Sequence, residues 1–120
     1  MAEIEPDNLD FQIKVVRSYQ TMGDVVNFAG GNPASIEWYQ RALTEAEKNY
    51  AKHPQNETVR RNVIVPLQRI GTKSEYEAEI LKELGESSAV IAPIYLEAEK
   101  YHRRSKMLAE SLKRDFPNNE

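Results

Sequence analysis

The sequence predicts an all-α fold of two antiparallel helical hairpins, the second longer than the first. Three observations carry that prediction. Apolar residues recur at steps of three and four along most of the chain. Glycine and proline clusters cut this periodicity into segments of helical length. And three breakers share one form, Glu5-Pro6-Asp7-Asn8, His53-Pro54-Gln55-Asn56 and Phe116-Pro117-Asn118-Asn119, with the first two prolines 48 residues apart and the last two 63.

The first helix is marked by Phe11, Val15, Tyr19, Met22 and Val26, with Asp7 or Asn8 able to cap its start. Gly30-Gly31-Asn32-Pro33 ends it, because glycine takes the positive φ of a helix end and proline suits the first turn of the next helix. The second helix runs from about Pro33 to Lys52 on the stripe Ile36, Tyr39, Leu43, Ala46 and Tyr50. Pro54 stops it. The third starts near Asn56 and carries Val59, Val63, Leu67 and Ile70, then Tyr76, Ile80, Leu81 and Leu84 up to Gly85. Pro66 lies inside it and is expected to kink it, with packing compensating, since an internal proline removes a backbone hydrogen bond. Ser87 or Ser88 opens the fourth, with Pro93 at its first turn or bending it. Ile94, Ala98, Tyr101, Ser105, Leu108 and Leu112 follow, and Pro117 closes it.

Bulk properties fit one soluble helical domain over residues 1–120, with hairpins at about 7–53 and 55–116. At 120 residues a core forms without staples. The absence of cysteine excludes disulfides, thiolate nucleophiles and Cys-bound zinc. A net charge of -3 gives no global attraction to nucleic acid, so a nucleic-acid partner is not expected. The basic run Lys100 to Lys106 is flanked by Glu97, Glu99 and Glu110 and reads as a solvated helix face. No apolar run approaches the ~20 residues of a membrane span, and the acidic start is unlike a secretory signal, so a cytoplasmic protein is expected.

The hairpins are internally related. Slid by 48 residues, Phe11 falls on Val59, Val15 on Val63, Val16 on Ile64, Tyr19 on Leu67, Gln20 on Gln68, Met22 on Ile70 and Gly23 on Gly71. Aligned backwards from Pro117 with an offset of 63, Ser35 falls on Ala98, Trp38 on Tyr101, Tyr39 on His102, Arg41 on Arg104, Ala42 on Ser105 and Ala46 on Ala109. Glycine in a helix interior costs ~0.5–1 kcal/mol against alanine, so its return at one position suggests close packing there. The second unit is 15 residues longer than the first, and the surplus lies between Thr72 and about Pro93.

With Val16 as the first motif position, Tyr19 takes an aromatic place, Met22-Gly23 a Leu-Gly place and Val26 the place of a Tyr. Gly30 takes the turn glycine, and Ser35, Tyr39 and Ala42 the small, aromatic and alanine places. This pattern resembles the tetratricopeptide repeat, in a long-helix form similar to the 48-residue arrays that follow kinase domains in some bacterial signalling proteins. The stretch Trp38-Tyr39-Gln40-Arg41-Ala42-Leu43 is especially similar. The second unit keeps Leu67, Ile70-Gly71, Ala98 and Ser105. The resemblance implies a solenoid fragment serving as a regulatory protein-binding scaffold, without catalysis and without a cofactor. Arrays of this kind usually need three or more units. With two, the expectations are a fragment of a longer array, a second unit acting as a cap, or a homodimer burying an end face.

By position in that family, the concave groove for a protein or peptide partner is expected to be lined by Arg17, Gln20, Asp24, Asn27, Val65, Gln68 and Thr72. The subtype that clamps a terminal carboxylate is disfavoured, because its Lys and Asn places hold Gln20 and Asp24, and Asp24 would repel the anion. Trp38, Tyr95 and Tyr101 are candidates for an interface. His53 and His102 lie in different units, and the acids Glu75, Glu77, Glu79, Glu83 and Glu86 track one helix surface, so neither metal binding nor acid–base work is expected. Two rival readings remain: a self-associating structural module, and a four-helix bundle that binds a polyanion or small ligand through Lys100 to Lys106.

Overall fold

The computed structural model describes residues 8–30 and 32–117. It holds four helices in order: α1 Leu9–Phe28, α2 Asn32–Lys52, α3 Glu57–Glu83 and α4 Ser88–Asp115. Helix α1 packs on α2 and α3 on α4 as antiparallel hairpins, and α3 lies mainly against α2, with a lesser contact to α1. Helix α4 makes no backbone-level contact with α1, so the hairpins form an open stack of 54 × 37 × 22 Å and not a closed four-helix bundle.

Local chemistry explains the boundaries. Asn8 caps α1, its side-chain oxygen accepting from the Phe11 N–H at 3.0 Å, and Asn56 caps α3 through the Val59 N–H at 3.1 Å. Gly30 and Gly85 hold φ of +89° and +85°, the left-handed exit that ends α1 and α3. Asp7, Gly31 and the tail 118–120 lie outside the described residues.

Pro66 does not end α3, which continues helical to Glu83. Its ring is fully buried, so packing compensates the lost backbone bond, as expected; the helix is not divided there. Pro93 is the sixth residue of α4, inside the helix and past its first turn. The surplus of the second hairpin is helical as well. Helices α3 and α4 have 27 and 28 residues against 20 and 21 for α1 and α2, so each gains seven, and the turn is one residue longer. Seven residues are about two turns, ~10 Å of rise. The second hairpin therefore projects past the tip of the first.

The central core joins Val16, Ala42, Ala46, Val63, Ile64, Leu67, Leu108 and Leu112 across the two hairpins. Each large apolar side chain fully buried there contributes ~1.5–3 kcal/mol, which makes this face the main source of stability. On α1 the buried residues are Ile13, Val16 and Gly23, while Phe11, Val15, Tyr19 and Val26 are half-buried and Met22 is exposed. The α1 stripe read from sequence is thus rotated from the true core face.

The matched glycines mark matched contacts. A Cβ on Gly23 would stand 2.6 Å from Cε1 of Tyr39, and one on Gly71 would stand 2.9 Å from Cε1 of His102. Tyr39 and His102 are themselves equivalent in the repeat. In each hairpin, then, a ring of the second helix lies on a glycine of the first.

The outward faces differ from the inner one at equivalent positions. Helix α4 sends Leu108 and Leu112 into the core, where α2 carries Glu45 and Asn49. Helix α2 packs Leu43 and Tyr50 against the core, where α4 carries exposed Lys106 and Lys113. No helix among the described residues is long and apolar enough to cross a membrane.

Candidate concave binding site

All four helices meet at the step where the longer hairpin overhangs the shorter. A concavity of about 620 Å³ opens there, lined by Asp24, Asn27 and Phe28 of α1, Tyr39 of α2, Gln68, Arg69, Thr72 and Lys73 of α3, and His102 of α4. It exists because Gly23 lets Tyr39 lie close to α1 and Gly71 does the same for His102.

Its ionisable groups are engaged in pairs. Asp24 accepts the Tyr39 hydroxyl at 2.5 Å and meets Nε of Arg69 at 3.3 Å. Burial, and then the bond to Asp24, push the Tyr39 phenol well above its ordinary pKa, so Tyr39 stays a neutral donor. The charge of Asp24 is answered by Arg69, which removes much of the repulsion expected toward an anion. His102 places Nε2 2.7 Å from Glu75. Lys73 lies 5.9 Å from the centre of the Tyr76 ring. Phe28 is 95% exposed on the rim, although burying its ring is worth ~1.5–3 kcal/mol.

Of the seven groove residues read from the sequence, the structure brings Asp24, Asn27, Gln68 and Thr72 together here. It does not bring the other three. Arg17 is exposed about two turns nearer the start of α1, and Gln20 is half-buried outside the lining. Val65 lines a different hollow, of about 600 Å³, with Arg61, Ile64, Ala109, Leu112, Lys113 and Pro117 of the second hairpin and its end. Phe28, Arg69, Lys73 and His102 were not singled out for this role from the sequence. Phe28 sits just before the glycine turn, and that was its only local signal.

No protein family, curated protein or solved structure matches the chain.

The interface candidates lie elsewhere. Trp38 is half-buried, its ring 5.9 Å from Tyr19 and under the Arg41 guanidinium at 4.6 Å. Tyr101 is half-buried against the core. The Tyr95 hydroxyl donates to Glu79, which raises its pKa. In the basic run, Lys100 meets Glu97, Arg103 meets Glu99 and Arg104 meets Glu47 of α2, so these cations face carboxylates. The Glu99-x-x-His102 spacing suits a helical metal pair, but its two members turn to Arg103 and Glu75. No group of three metal-ligating side chains occurs among the described residues.

Proposed function

We propose that the protein is an interaction scaffold of the tetratricopeptide type, regulatory and not catalytic, working in the cytoplasm. It receives a segment of a protein partner in the concavity at the step. The observation that supports this reading is the convergence of polar side chains from separate hairpins on one open hollow beside an almost wholly exposed phenylalanine. Asn27, Gln68 and Thr72 offer hydrogen bonds to an extended backbone, Lys73 offers charge, and Phe28 offers an apolar anchor. Lys73 apart, the acids and bases are already paired, Asp24 with Arg69 and Glu75 with His102, which suits recognition more than proton transfer.

The test is selection from a random displayed-peptide library on the full chain, followed by binding of the enriched peptides to Phe28→Ser and Gln68→Ala variants. Peptides should be enriched and should bind each variant at least several-fold more weakly, with helicity unchanged by circular dichroism. Absence of enrichment, or binding indifferent to both substitutions, would refute the reading.

A further inference from the structure

The concavity holds more positive charge than its own acids answer. Its lining sets Arg69 and Lys73 of α3 against Asp24 of α1, one net positive charge with His102 neutral, in a chain whose net charge is -3. The Asp24 carboxylate is taken up by the Tyr39 hydroxyl and by Nε of Arg69. Glu75 is turned to His102, and Glu79 accepts the Tyr95 hydroxyl. Lys73 is left over. Its amine stands 5.9 Å from the centre of the Tyr76 ring, and it forms no ion pair among the described residues. A ring face attracts the charge but is a weak hydrogen-bond acceptor. Burial also sets this side chain apart, because Lys73 is half-buried and every other lysine of the chain is exposed. An ammonium drawn partly out of water loses hydration that a hydrogen-bonded anion restores.

We infer that the partner segment carries an aspartate or glutamate whose carboxylate meets Lys73, within a few residues of an apolar side chain that covers Phe28. The inference rests on the binding reading above and names the chemistry of the occupant. On α3, Arg69 and Lys73 stand one turn apart, and Gln68 and Thr72 stand one turn apart in the row beside them. The cation thus has neutral hydrogen-bonding neighbours, as a charge-assisted contact to a carboxylate uses. One net positive charge matches one carboxylate. A phosphate group brings close to two negative charges, and the second would be set against Asp24 and Glu75. The hollow is open, so the anion is met as a side chain of a passing segment and not as a buried chain end. Phe28, almost wholly exposed on the rim, supplies the apolar half of the contact.

The experiment is selection from a random library of peptides fused at their C-terminal ends to the display protein, so that no free terminal carboxylate is offered. The native full chain and a Lys73→Glu variant are selected in parallel, and both enriched pools are sequenced. The native pool should over-represent Asp or Glu near a large apolar residue at least several-fold over the unselected library. The Lys73→Glu pool should lose that bias and favour Lys or Arg in its place, with helicity unchanged by circular dichroism. Replacing the acidic residue of a native-selected peptide by its amide should weaken binding to the native chain at least several-fold and leave binding to Lys73→Glu no weaker. An enriched pool without acidic bias, or an acidic bias that survives Lys73→Glu, would overturn the inference. The binding reading would then still stand if those peptides depend on Phe28 and Gln68. Absence of any enrichment would overturn both.

Discussion

Replacing Gly23 with alanine tests the packing register of the whole first hairpin. The new Cβ would lie 2.6 Å from Cε1 and 2.7 Å from Cδ1 of Tyr39, about 1 Å inside the ordinary carbon–carbon contact of ~3.5–4.0 Å. Tyr39 has no room to retreat, because it is fully buried and its hydroxyl is held by Asp24. Overpacking costs ~1–3 kcal/mol, and this clash against a fixed ring belongs in the upper half. Alanine returns ~1 kcal/mol of helix propensity. The net loss is about 1–2 kcal/mol, a fall in Tm of about 3–8 °C. Gly71→Ala is the internal control. Its Cβ would meet the free end of the His102 ring at 2.9 Å, but that ring is partly exposed and can swing outward. The swing gives up an exposed contact to Glu75 worth ~0–1 kcal/mol, which the propensity gain offsets. Gly71→Ala should therefore lie within about 0.5 kcal/mol of the native chain. Thermal and urea denaturation of both variants decide the matter. A Gly23→Ala protein as stable as native, or a Gly71→Ala loss equal to that of Gly23→Ala, would refute the ring-on-glycine account.

Further outcomes follow from the same contacts. Ala42 is fully buried in the inter-hairpin core, so Ala42→Trp should cost at least ~1–3 kcal/mol by overpacking, read by urea denaturation. The raised pKa of Tyr39 means the folded chain keeps a proton that the unfolded chain gives up near pH 10, so stability should fall as pH rises past that value; ultraviolet titration should show this phenol ionising only as the chain unfolds. Asp115 is held below its ordinary pKa, first by its hydrogen bond from Arg60, so its contribution is present above about pH 4 and fades as pH falls through the lowered value. Asp115→Asn should flatten that limb of the pH–stability curve. Asn49 is buried and its Nδ2 has no hydrogen-bond partner among the described residues, where the equivalent residue of α4 is Leu112, so Asn49→Leu should be neutral or stabilising by up to about 1 kcal/mol in urea denaturation.

The helices were legible because their ends are written in short-range chemistry. Asn8, Asn56, Gly30, Gly85, Pro54 and Pro117 act on neighbouring backbone groups, and no tertiary contact is needed to read them. The repeat was legible through Gly23 and Gly71, whose alignment anticipates their shared role under a ring. What failed depended on stacking. The α1 stripe was read through Met22 and Phe11, but the residues buried are Ile13, Val16, which joins the inter-hairpin core, and Gly23, which lies under Tyr39 of its own hairpin. Pro66 is a different case: the expected compensation by packing agrees with its buried ring, although which neighbours bury it could not be read locally. Four of the seven groove positions converge because helices α1 and α3 do line one side. Arg17, Gln20 and Val65 do not join them, because the hollow forms only near the step. Arg69, Lys73 and His102 enter it through the overlap of unequal hairpins, a relation visible once both lengths and their register are known.

The increment of seven residues has a consequence for how such a hairpin can change length. At 3.6 residues per turn, seven residues rotate a helix through nearly two full circles, leaving only ~20° of drift. A side chain added one such step further along points almost where its predecessor did. An insertion of five would instead turn the new segment through ~140° beyond a full circle and send its oily edge to the wrong side. Growth by whole heptads in both arms at once keeps the two arms facing each other, so length can vary in ~10 Å strides while orientation is preserved.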